Sequence, residues 1–62
     1  MEMQQIITYL KVELVETIAR RGIARGRGLY DLVCRFDEDI DELLDMVEMA
    51  EQVAAFADMA AA

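Results

Sequence analysis

From Leu29 to the C-terminus one spacing governs the chain. Leu29, Val33, Phe36, Ile40, Leu43, Val47, Ala50, Ala54, Ala57 and Ala61 follow one another at intervals of four and three residues without a break. A repeat of this kind holds its side chains on one seam of an α-helix, and sustained over several heptads it is the pattern of helix-on-helix packing. It predicts a second helix over about residues 29–60, a rod about 48 Å long at 1.5 Å per residue. Leu32 and Leu44 widen the apolar stripe, and the acids Glu38, Asp41, Glu42, Asp45 and Glu48 fall on the far side.

A first helix is expected over about residues 2–21. Met3, Ile6, Ile7, Leu10, Leu14 and Ile18 recur at helical spacing and form a stripe about 120° wide. Tyr9, Val12 and Val15 lie outside it. Between the two helices stands RGIARGRG, and Gly22, Gly26 and Gly28 read there as helix stops. Residues 22–28 are the expected connection, with Ile23 folded back onto the helix ends. The fold class is thus all-α: an antiparallel hairpin of a short and a long helix, one domain spanning residues 1–62.

Such a chain is small for an independent fold. Sixty-two residues rarely supply more than about 3–5 kcal/mol from their own core, and the usual supplements are disulfides, metal or an oligomer interface. Cys34 is the only cysteine and there is no His, so an intrachain disulfide is excluded and a zinc site nearly so. Assembly as a homodimeric helical bundle is the remaining expectation. A first helix ending at Arg21 would bring Met3 level with residues 46–50 and leave the rest of the second helix overhanging. That segment carries two apolar stripes, the seam and Met46, Met49, Val53, Phe56 and Ala60. A second chain is the expected cover. The dimer and core residues read from this pattern are Ile7, Leu10, Leu14, Ile18, Leu29, Val33, Phe36, Ile40, Leu43, Val47, Ala50, Ala54 and Ala57.

The net charge of −7 is unevenly spread. Residues 1–36 carry six bases against four acids, whereas residues 37–62 carry nine acids and no base. Two readings of the acids compete in FDEDIDELLDMVE. Asp37, Asp39, Asp41, Asp45 and Glu48 occupy positions 1, 3, 5, 9 and 12 of a calcium-loop template. The template requires Gly at position 6, where Glu42 stands, and the heptad runs through the segment. A solvated acidic helix face is therefore the preferred reading, and no metal or other cofactor is expected. No nucleophile–base pair and no Gly-rich phosphate loop accompanies the carboxylates, so the chain is read as a non-enzyme.

What remains is binding. Met46, Met49, Val53, Phe56 and Met59 suit either a dimer core or an adaptable surface for another protein, with Asp41, Asp45 and Glu48 selecting a basic rim. Arg20, Arg21, Arg25 and Arg27 at the hairpin tip are candidate phosphate contacts, although the overall charge repels a polyanion. Cys34 is expected half-buried beside the seam. The expected job is that of a small acidic regulator that binds a partner protein and inhibits or modulates it, in the manner of an inhibitor or antiactivator. By size and charge alone it resembles compact virus- or mobile-element-encoded host inhibitors. A nucleic-acid-binding regulator and a purely structural self-assembling subunit are the alternatives. With no apolar run near the ~18 residues of a membrane span and no N-terminal signal pattern, the expected location is the cytoplasm.

Overall fold

The computed structural model describes residues 2–61, the last by its backbone only. Two helices account for nearly all of them. Helix α1 runs Met3–Gly26 and helix α2 runs Tyr30–Ala61. They pack as an antiparallel hairpin, as two cross-helix ion pairs show: Arg21 reaches Asp37 near the turn and Lys11 reaches Glu51 farther from it. The molecule is a rod with principal extents of 51 × 15 × 13 Å, its length set by the 32-residue α2. Among the described residues, no helix is long and apolar enough to cross a membrane.

The boundaries depart from the expected ones at the connection. Helix α1 continues through Gly22 and stops at Gly26, five residues beyond the expected end at Arg21. Glycine within a helix is unfavourable by only about 1 kcal/mol relative to alanine, and packing against α2 outweighs that. Among the described residues, only Gly28 takes a left-handed conformation, with φ 72°. Around it the amide of Gly28 donates to the carbonyl of Arg25 at 3.1 Å, and that of Leu29 to Ala24 at 2.9 Å. These two bonds are the Schellman closure, which satisfies carbonyls that the end of a helix leaves open. Val33 then donates to the Leu29 carbonyl at 3.1 Å, starting α2. Asp31 in its first turn faces the positive end of the helix dipole.

Moving the fold point to Gly28 moves the far end as well. Gln4 and Ile7 share a groove with Ala54, Ala55 and Asp58, so the start of α1 lies level with the last turns of α2. The expected alignment of Met3 with residues 46–50, and the long overhang it implied, are both incorrect.

The buried seam of α2 contains Val33, Ile40 and Val47, with Phe36, Leu43, Ala50 and Ala54 half-buried between and beyond them. On α1 the inward residues Met3, Ile7, Leu10, Leu14, Thr17, Arg21 and Ala24 again follow at alternating intervals of four and three, with Ile6 and Glu13 half-buried beside them. Ile18, expected in the core, is 42% exposed. The repeat steps three residues from Leu14 to Thr17, rather than four to Ile18. Buried Thr17 donates its hydroxyl to the Glu13 carbonyl at 2.7 Å, which satisfies its polar atom inside its own helix. Arg21 is held in the seam by Asp37. Leu29 and Ala57, at the two ends of the α2 seam, are exposed. Ile23 lies within α1, not in the connection, and is 58% exposed.

Candidate functional site: the outer faces of the hairpin

With the seam closed inside the hairpin, the features left for binding are those that point away from it. Along α2 the repeat that buries Val33, Ile40 and Val47 turns Met46, Met49, Val53 and Phe56 to one flank. Met49, Phe56 and Met59 keep 65%, 72% and 74% of their surface exposed. An apolar row of this kind at helical spacing is the form that helix-in-groove recognition takes. The long thioether side chains of methionine can repack around varied partners. Because α1 runs alongside this part of α2, the row belongs to the outside of a two-helix unit and not to a lone overhang.

Asp41, Asp45 and Glu48 are all exposed on α2. Beside them Leu44, Val47, Glu48, Glu51, Gln52 and Ala55 line a shallow cleft, so apolar and acidic groups alternate along the helix. The segment 37–48 is α-helical throughout. In a helix of 3.6 residues per turn, Asp39 points about 200° away from Asp37, and carboxylates so spread do not converge on one ion. Among the described residues, no cluster of acids and cysteine is arranged to hold a metal.

The arginines at the tip are dispersed. Arg21 turns inward to Asp37 at 2.8 Å, and Arg20 pairs with Glu16 one turn back on α1 at 3.6 Å. Arg25 and Arg27 are exposed. A small cleft beside the turn is lined by Arg20, Ile23, Ala24, Arg27, Leu29, Leu32 and Phe36, five of the seven apolar. Cys34 is exposed, not half-buried as expected, because it sits one residue past the seam position of Val33 on a helix covered from one side only.

Sequence reasoning missed one face. The outer side of α1 carries Val12 and Val15, 49% and 66% exposed, in a row with Gln5, Thr8, Ala19, Gly22 and Gly26, all of them exposed. The intervals of this row are again three and four. Its signal is present in the sequence, but placing the two glycines in the connection cuts the row at Ala19. No protein-family model, curated protein or solved structure matches the chain.

Proposed function

We propose that this chain is a small acidic, non-enzymatic regulator that acts as a homodimer and binds another protein through the outer face of α2. The observation that carries the reading is the row Met46, Met49, Val53, Phe56 and Met59, left exposed by a hairpin whose own seam is already filled. Large apolar side chains gathered on one face mark an interaction surface more often than scattered ones do. In this reading Phe56 and the methionines enter a hydrophobic groove of the partner. Asp41, Asp45 and Glu48 face basic groups at its rim and set orientation and on-rate. The effect is occlusion: the partner's groove is filled and its own ligand kept out. We assign the protein to the cytoplasm, a reducing compartment in which the exposed Cys34 stays a thiol.

The test is affinity capture from the native host with three baits: the unaltered chain, Phe56→Asp, and the triple variant Asp41→Asn, Asp45→Asn, Glu48→Gln. Phe56→Asp abolishes capture of the partner while the helical circular dichroism is retained, and the triple variant weakens capture in low salt. If all three baits bring down the same proteins in the same amounts, α2 is not the docking face.

A further inference from the structure

We infer that two copies associate through the outer face of α1, in parallel and in register, which leaves both α2 faces outward. The inference deepens the homodimer reading above by naming the interface.

Gln5, Thr8, Val12, Val15, Ala19, Gly22 and Gly26 lie opposite the seam of α1. The row contains no charged residue over 22 positions of a chain in which nearly a third of residues are charged. Thr8, Lys11, Val12 and Val15 line a surface depression together with Glu16. Residues at i, i+3, i+4 and i+7 are the four that form a hole for a knob from a facing helix. Within a parallel pair, the knob that enters this hole is Val12 of the second copy, the residue at the matching level.

The flanks of the row select the occupant and its direction. Residues on one flank of a parallel coiled coil meet those five positions later on the facing helix. Lys11 then meets Glu16 of the second copy, opposite in charge, and Ile18 meets Ile23 of the second copy, both apolar. The two-fold axis makes each contact twice. Ile18 and Ile23 are two of the large side chains the hairpin leaves exposed, and this pairing covers both. Lys11 and Glu16 are free to turn, because their present pairs, with Glu51 at 3.9 Å and with Arg20 at 3.6 Å, join side chains about half exposed. Gly22 and Gly26 gain a role: a Cβ at either position would meet nothing in the hairpin. On the row they let the two helices approach closely toward the tip.

Two variants test the interface. In a Cys34→Ala background, Thr8→Cys is held in a glutathione redox buffer and run on a non-reducing gel. A parallel pair sets residue 8 against itself and gives a disulfide-linked dimer; an antiparallel pair, or a dimer through another face, separates the two thiols and gives none. Val15→Glu, at an exposed position, keeps its helical circular dichroism and weakens dimerisation at least tenfold by light scattering across a concentration series. Val15→Glu also still captures the α2 partner at high bait density, whereas Phe56→Asp stays dimeric, so failure of the interface and failure of the α2 reading give different patterns. A monomeric unaltered chain at about 100 micromolar, which puts any dissociation constant well above the micromolar range, no covalent dimer from Thr8→Cys, or an undiminished dimer in Val15→Glu overturns the inference.

Discussion

Arg21 and Asp37 meet across the hairpin with a guanidinium nitrogen 2.8 Å from a carboxylate oxygen, at a level where α1 offers the seam no apolar side chain. Both groups are partly exposed, so the pair contributes about 0.5–1 kcal/mol, not the larger sum of a buried bridge. Asp37→Asn is expected to lower the melting temperature by a few degrees in low salt. In about 1 M NaCl, where the screening length falls to about 3 Å, the difference shrinks. Thermal melts at the two salt concentrations check it.

Among the described residues, Gly28 is the one whose backbone demands glycine. Its φ of 72° costs an L-residue roughly 1–2 kcal/mol, so Gly28→Ala should destabilise the hairpin by that amount. For a domain of this size each kcal/mol corresponds to about 4–8 °C in melting temperature, readable by circular dichroism.

Gly22 and Gly26 behave in the opposite way. Both are helical, and an added Cβ meets no neighbour. In the Val15→Glu background, which removes the dimer from the measurement, Gly22→Ala should stabilise the hairpin by about 0.5–1 kcal/mol through helix propensity and reduced freedom of the unfolded chain. In the otherwise unaltered chain the same change should loosen the proposed dimer, because it thickens the face where two helices would approach. Opposite signs in the two backgrounds, measured by melting and by light scattering, are the expected result.

Thr17 tests the polar content of the seam. Its hydroxyl bonds only to the carbonyl one turn earlier, an acceptor that a regular helix already supplies with a backbone donor. Thr17→Val should therefore keep the hairpin and leave its stability unchanged or raised by up to about 1 kcal/mol. A loss larger than that in a denaturant melt would show that the hydroxyl does more than satisfy itself.

The two helices were not equally legible. In α2 the seam from Val33 to Ala54 is written almost entirely in apolar letters, so spacing alone locates it. In α1 the seam passes through Thr17, Arg21 and Ala24, and a reading that follows apolar letters turns aside to Ile18. Thr17 qualifies because its hydroxyl is satisfied locally, and Arg21 because a carboxylate waits across the hairpin; neither condition is visible before the helices are paired. The glycines posed a similar problem. Gly22, Gly26 and Gly28 are the same letter, and only the hydrogen bonds from Gly28 and Leu29 back to α1 separate the one that turns from the two that do not. The α2 face was legible as a row of methionines and Phe56. The α1 face was not, since recognising it depends on Gly22 and Gly26 being helical.

The Schellman closure at Gly28 also orders events in time. Contacts beside the turn, such as Ala24 with Leu29, close a loop of a few residues, whereas Lys11 with Glu51 closes one of about forty, and loop entropy grows with that separation. The hairpin should therefore zip from the tip toward the ends, with a transition state polarised to the turn. Changes at Gly28 would then act mainly on the folding rate and changes near Ile7 or Ala54 mainly on the unfolding rate. The free ends would fray first, so the α2 face near Phe56 belongs to the part of the rod that opens most often.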